Sequence, residues 1–168
     1  MKSIKLILGL LIFWWIISPQ PSAFCDGEIV SGNSPLYNEL MPVAIKWKDA
    51  VLNKNIKVLV DCALPDDREY ITPKLEDENS RLYHILFKDK NSIYEILRKL
   101  KKLKIVLIKW EGLEEAGQGV TIYYYDEDRV KLRFPLKSNE EQKLYNQGEI
   151  VSKFFFKTEG QWFTAYEF

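Results

Sequence analysis

The sequence is poor in the side chains that most often carry acid–base and metal chemistry. It has one histidine, His84, and only two cysteines, Cys25 and Cys62, which stand far apart. Zinc sites draw several ligands from paired cysteines and histidines at short spacing, so none is predicted. A helical wheel places His84 on the polar face that Ser80 and Lys88 share. We therefore expect a solvent-exposed histidine and no metal site.

The chain also lacks an excess of charge of either sign. Its 24 lysines and arginines are balanced by 24 aspartates and glutamates. Nucleic-acid-binding domains carry a positive excess that is concentrated on one face or along one helix. The balance therefore argues against nucleic acid as a partner.

Motifs for cofactors and for nucleophilic catalysis are absent too. Gly117-Gln118-Gly119 lacks the rest of the dinucleotide and phosphate-loop fingerprints, and no G-x-S-x-G motif occurs. The acidic run Asp126-Glu127-Asp128 lacks the ligand spacing of a calcium loop. We predict no cofactor and favour a non-catalytic role. A carboxylate pair of the glycosidase kind stays open, because acidic residues are common and none stands out.

The N-terminal segment has the pattern of a cleaved export signal. Lys2 and Lys5 precede an apolar run, Leu6–Ile17, that is short for a bilayer span, and small residues end at Ala23. We assign residues 1–23 as a signal peptide. The expected product is periplasmic or secreted and has no membrane span after cleavage. The alternative is an uncleaved membrane anchor.

The first cysteine, Cys25, lies just after the predicted signal peptide, where two modifications are considered, a lipid anchor and a disulfide. A lipidated cysteine requires a small residue before it, and Phe24 precedes Cys25, so lipid anchoring is disfavoured. Export permits a disulfide between Cys25 and Cys62. The alternative is two unpaired thiols with Cys62 in the core.

The stretch Ser92–Trp110 joins a helical half to a strand-rich half. Ser92 and Glu95 fit a capping box. Apolar residues then recur at helical spacing at Ile93, Ile96, Leu97 and Leu100. The run Ile105–Ile108 is continuous, β-branched and short, which is typical of a strand buried on both faces. Helices before this seam and strands after it predict an α+β fold, with N-terminal helices packed on a C-terminal curved antiparallel sheet.

Within the helical half, residues 24–33 are polar and predict a flexible arm. Residues 34–168 are then predicted to form one α+β domain. Ser34 and Pro35 predict a helix start, and Pro42 predicts a kink or a restart. Asn55 caps a second helix, and a third covers Ser80–Lys88. Between these two helices, Glu69–Thr72 is predicted to be a brief strand.

The strand-rich half predicts two hairpins. The first pairs Val120–Tyr125 with Val130–Phe134 around a three-residue loop, a register that keeps the apolar side chains on one face. The second pairs Val151–Lys157 with Trp162–Phe168 around Glu159-Gly160. Ser138–Gly148 is predicted to be a loop with some helical character.

Two short stretches carry a family resemblance. Trp47-Lys48-Asp49-Ala50 in the first helix and Gly160-Gln161-Trp162-Phe163 near the end, with the order of helices before curved strands, resemble the NTF2-like (SnoaL-like) cone fold. The resemblance implies a pocket between sheet and helices. It implies no particular chemistry, because that family holds both enzymes and binding modules.

The best binding candidates are aromatic and cationic residues expected on the second face of the sheet. Such a mixture suits an anionic or sugar-like ligand or a protein partner, whereas the alternative is that helices cover this face and the aromatics are core. The candidates are Tyr123, Tyr125, Lys131, Arg133, Phe155, Trp162 and Tyr166.

Three functional hypotheses follow from these patterns. The first is a non-catalytic module that binds an unknown small molecule or protein through its sheet. The second is an NTF2-like hydrolase or isomerase with a carboxylate in an aromatic-lined pocket. The third is a structural or inhibitory envelope protein of the immunity type. A carboxylate buried in a concave pocket would favour the second.

Overall fold

The computed structural model describes residues 27–110, 119–164 and 166. Within them, helices in the first half are followed by a five-stranded antiparallel sheet, so the predicted α+β fold class is confirmed. No helix in these ranges is long and apolar enough to cross a membrane. The predicted signal peptide and Cys25 lie outside the described residues.

The helices of the first half are short apart from the first. They are α1 (Pro35–Leu52), α2 (Ile56–Asp61), α3 (Arg68–Glu76), α4 (Arg81–Tyr83) and α5 (Ile93–Lys99). A 3-10 turn, Pro65–Asp67, leads into α3, and a π-helical turn, His84–Lys88, continues α4.

The strands pair in the order in which they occur in the chain. They are β1 (Gly27–Ile29), β2 (Leu103–Trp110), β3 (Gly119–Asp126), β4 (Ile150–Thr158) and β5 (Gln161–Thr164). One further helix, α6 (Ser138–Asn146), lies between β3 and β4 in the chain.

The predicted helix starts are confirmed by their caps. The Ser34 hydroxyl accepts a hydrogen bond from the Tyr37 N–H at 3.1 Å, and the Ser92 hydroxyl accepts one from the Glu95 N–H at 3.3 Å. Asn55 caps α2 in the same way through its side-chain oxygen. Each cap satisfies a backbone donor that the first helical turn leaves without a partner. α1 is continuous past Pro42, so of the two alternatives expected there, a kink or a restart, the restart does not occur.

One face of the sheet packs against the helices and forms the larger core. Trp47 of α1 is fully buried and lies against Tyr124 and Phe155, with ring centroids 5.7 and 6.4 Å away. The Tyr124 hydroxyl donates to the Ala44 carbonyl at 2.9 Å. α5 contacts both α1 and β4, so it helps to close this core from the side.

The other face of the sheet is covered by the chain between β3 and β4. Tyr123 and Tyr125 are buried beneath Phe134, whose ring centroid lies 5.0 and 5.8 Å from theirs. Leu136 and Ile150 complete this smaller cluster. The molecule therefore has three layers, with helices on one face of the sheet and an extended segment followed by α6 on the other.

The first predicted hairpin is wrong. β3 pairs with β2 on one side and β4 on the other, so no edge remains for a Val130–Phe134 strand. The buried Asp126 carboxylate accepts hydrogen bonds from the Lys101 and Asp128 N–H groups at 2.9 and 3.1 Å, which fixes the turn where the chain leaves the sheet. The alternating apolar residues after that turn pack on the second face, opposite to the one predicted.

The predicted strand at Glu69–Thr72 is also wrong, because these residues belong to α3. Arg68 anchors the start of the helix by donating to the carbonyls of Ala63 and Asp61 at 3.2 and 2.9 Å. Ile71 and Leu75 are four residues apart and both buried, which is helical spacing.

Part of the segment predicted to be a flexible arm forms a strand. Gly27–Ile29 pairs with Ile108–Trp110 at the edge of the sheet. A Cβ atom at Gly27 would lie 2.7 Å from Ile108 and 2.9 Å from Trp110, so the close approach requires glycine.

The last hairpin is confirmed around its turn, but its second strand ends at Thr164 within the described residues, so the predicted pairing of the start of β4 is not observed. Glu159 and Gly160 form its turn with φ values of 51° and 77°, which suits a primed turn. The strands it joins pair over Phe155–Thr158 and Gln161–Thr164. At the end of β5, the Thr164 N–H donates to the Cys62 carbonyl at 2.8 Å, which ties this edge to the end of α2.

Candidate functional site

A cavity of about 370 Å³ lies between the α4–α5 region, α6 and β4. Its helical wall is apolar and consists of Leu82, Ile85, Leu86 and Ile93. Its sheet wall is mixed and consists of Thr121, Ser152, Lys153 and Phe154. Glu141 and Tyr145 reach it from α6, and Tyr166 closes one end. The cavity therefore combines an apolar surface with a few convergent polar groups.

The position of the cavity follows from the pairing of β4. β5 pairs with Phe155–Thr158, so the first half of β4 lies beyond the end of β5. Side chains from both faces of β4 therefore reach one space: Lys153 from the helical side, where Tyr166 joins it, and Ser152 and Phe154 from the α6 side.

Glu141 is the centre of the polar part of the site. It lies in the first turn of α6, where the helix dipole favours a negative charge. The Tyr123 hydroxyl donates to its Oε2 at 3.0 Å, and the Ser152 hydroxyl donates to its Oε1. Two strands and a helix thus hold one half-buried carboxylate in a single orientation.

The hydroxyls around Glu141 act as donors. Burial raises the pKa of Tyr123, and the neighbouring charge of Glu141 raises it further, so the phenol keeps its proton at neutral pH. Burial raises the pKa of Tyr145 too, with a smaller contribution from Asp89.

A second hollow of about 390 Å³ continues the site along α6. It shares Glu141, Tyr145 and Ser152 with the first and adds Ser138 and Gln142. Asn91 fixes the far end of α6 by donating to the Asn146 carbonyl at 2.7 Å. A groove between α6 and β4 therefore runs past the Glu141 carboxylate.

A π-helical turn forms part of the cavity wall. The turn His84–Lys88 supplies Ile85 and Leu86 to the lining. Such turns are rare and often occur at functional sites. His84 itself is 39% exposed, and its Nδ1 lies 3.4 Å from Asp89 Oδ1, so it is a surface histidine as expected.

The structure separates the seven binding residues predicted from the sequence. Tyr123 and Tyr125 lie on the second sheet face but are buried beneath Phe134. Lys131 and Arg133 are exposed on the covering segment and do not belong to the sheet. The expectation that one open face presents this set is wrong, because the segment after Asp126 folds back over that face.

The other three predicted residues lie on the helical side of the sheet. Phe155, Trp162 and Tyr166 are buried there, and the Tyr166 hydroxyl donates to the Leu59 carbonyl at 2.9 Å. Of the seven, Tyr166 lines the cavity and Tyr123 reaches it through Glu141.

Several residues of the site were not predicted, although the sequence carries a signal for them. Glu141, Leu144 and Tyr145 stand at helical spacing in the stretch predicted to be mostly loop. Thr121 and Tyr123, like Ser152 and Phe154, alternate on one face of their strands. A helix over this stretch, packed on that face of the strands, brings these side chains together.

Cys62 lies apart from the cavity lining. Its side chain is buried, and this burial raises the pKa of its thiol. Its candidate disulfide partner, Cys25, lies outside the described residues, so that pairing stays a prediction. Across the described ranges, no cluster of three or more histidine, cysteine or acidic side chains is arranged to hold a metal ion.

No family model, curated protein or solved structure matches this chain. The functional assignment therefore rests on the geometry of the site.

Proposed function

We propose that the chain is an exported, non-catalytic module that binds a small molecule in the cavity beside Glu141. The observation that carries this proposal is a concave space of about 370 Å³ with an apolar wall and an oriented carboxylate. Ligand sites in proteins are typically hollows of this size, mostly apolar, with a few placed polar groups that fix the orientation of the ligand.

The first hypothesis places binding on an open face of the sheet, and the sheet contributes to this site in a different way. The open aromatic surface is replaced by a concave corner in which Thr121, Ser152 and Phe154 face α6. The two hydroxyl donors hold Glu141 in one position, and groups held in this way are suited to recognition because little ordering is needed when a ligand binds.

The second candidate is an acid–base enzyme of the NTF2-like kind. It is favoured by the presence of a half-buried carboxylate, Glu141, in a concave site between helices and sheet. In that mechanism Glu141 would take or give the proton. A bound small molecule that is recovered chemically changed, as judged by mass spectrometry, would favour this candidate over simple binding.

The proposal is tested by a fragment screen observed by NMR on the ¹⁵N-labelled protein. Fragments that bind are expected to shift the amide signals of Thr121, Ser152 and Phe154 together with that of Ile85. Ile85→Trp should fill the cavity and weaken binding by about tenfold or more, because the same space cannot hold two groups.

The matched control is Ile45→Trp, which places the same ring on an exposed position of α1. It should leave the affinity of every fragment unchanged. Fragments that bind both variants equally, or a screen in which no fragment shifts the cavity signals, would contradict the proposal.

A further inference from the structure

We infer that the ligand of this cavity is a small organic ammonium ion with a short apolar group. The inference rests on the proposed function and names the class of molecule that the cavity takes. It depends on three features of the site: the uncompensated charge of Glu141, the aromatic groups beside it, and the apolar wall opposite.

The charge of Glu141 has no cationic partner within the described chain. None of the ion pairs formed there includes Glu141. Its two hydrogen-bond donors, Tyr123 and Ser152, are neutral hydroxyls. They satisfy the carboxylate oxygens but bring no positive charge to this half-buried place.

A half-buried charge of this kind is favourable for binding the opposite charge. Removing a charge from water is costly unless a partner compensates it. The other charged group of the lining is Lys153, whose ammonium lies 4.5 Å from the centroid of the Tyr166 ring. A ligand ammonium placed at Glu141 would form a charge-assisted hydrogen bond, which is stronger than a neutral one.

Aromatic side chains in the same lining favour a cation as well. Phe154 and Tyr145 belong to the lining. The Phe154 ring is stacked on Phe156, with centroids 6.3 Å apart and planes 24° from parallel, which holds it in place. Ring faces attract ammonium ions through their quadrupole.

The apolar wall determines the chemical character of the rest of the ligand. Leu82, Ile85, Leu86 and Ile93 offer no hydrogen-bonding side chain, so they suit an alkyl or aryl group of a few carbons. An anionic ligand would be repelled by Glu141, and a neutral one would leave its charge uncompensated. A short alkylammonium ion satisfies both ends of the cavity.

The test compares three probes of nearly equal size by NMR titration. They are n-butylammonium, 1-butanol and butyrate, which place a cation, a neutral group and an anion on similar alkyl chains. The expected order of affinity is cation above alcohol above anion. The cation should bind about tenfold to a hundredfold more tightly than the alcohol, as a hydrogen bond to a charged group adds about 1.5–3 kcal/mol.

Three variants locate the source of the preference. Glu141→Gln should abolish the difference between n-butylammonium and 1-butanol while it keeps the shape of the side chain. Glu140→Gln, which removes the same charge from an exposed neighbour on α6, should preserve the difference. Glu141→Asp should retain a preference for the cation, because it keeps a carboxylate at the same position, so the inference stays testable if Glu141→Gln folds poorly.

Equal binding of cation and alcohol, or a preference that persists in Glu141→Gln, would overturn the ammonium inference and leave the binding module standing. Failure of all three probes to shift the cavity signals would also overturn it. The proposed function itself fails if the wider fragment screen also leaves those signals unchanged, or if its fragments bind the Ile85→Trp and Ile45→Trp variants equally.

Discussion

Trp47→Ala is expected to lower the free energy of unfolding by about 3–5 kcal/mol, a large part of the stability of a single domain. Trp47 is fully buried in α1 and packs against Tyr124 and Phe155. Its removal deletes a buried aromatic contact between α1 and the sheet and leaves a cavity that rigid neighbours fill only partly. Denaturant midpoints of the variant and the parent protein measure the change.

Ile45→Ala is the matched control for this substitution. Ile45 lies two residues away in the same helix and is 41% exposed. Both substitutions end in alanine, so the gain in helix propensity is similar. The control should change the unfolding free energy by no more than about 0.5 kcal/mol. Equal losses in the two variants would mean that this face of α1 does not pack on the sheet.

Leu97→Ala is expected to cost about 2–5 kcal/mol. Leu97 is 4% exposed in α5, the helix that contacts both α1 and β4. The substitution removes buried methyl groups from the place where the helical half joins the sheet. Equilibrium unfolding in urea, followed by far-UV circular dichroism, gives the free-energy difference.

Lys99→Ala in the same helix separates packing from helix formation. The Lys99 side chain is 51% exposed and lies 3.9 Å from the Glu95 carboxylate, a surface ion pair that contributes little. This variant should stay within about 0.5 kcal/mol of the parent protein. A loss comparable to that of Leu97→Ala would show that α5 matters through its own stability and not through its buried face.

The sequence was sufficient for the features that depend on local chemistry. Ser34, Asn55 and Ser92 cap the helices that they were predicted to cap. The continuous apolar run around Leu107 and Ile108 is a strand with both residues buried. These outcomes follow from caps and periodicities that act within a few residues, and no distant contact overrides them here.

Features that depend on distant contacts were missed. The alternation of Leu132, Phe134 and Leu136 is the pattern of a strand, but both edges of β3 are already paired. The segment instead lies across the sheet, where an alternating pattern buries one face equally well. A two-residue period indicates one-sided burial and does not by itself indicate strand pairing.

The candidate site was missed for a related reason. Glu141 and Ser152 are eleven residues apart and come together only because α6 folds over the second face of the sheet. Ser138–Gly148 is predicted to be a loop with some helical character, so the prediction lacks the helix that carries Glu141 and Tyr145. The aromatic residues predicted instead, such as Tyr125 and Phe155, are buried in the core, where strand aromatics usually pack.

The most direct test of the central claim is a crystal structure of the protein grown with n-butylammonium. We expect the probe in the cavity, with its nitrogen about 2.7–2.9 Å from a Glu141 carboxylate oxygen and its chain against Ile85 and Phe154. A cavity filled by protein side chains, or Glu141 paired with a cation of the protein itself, would contradict the claim.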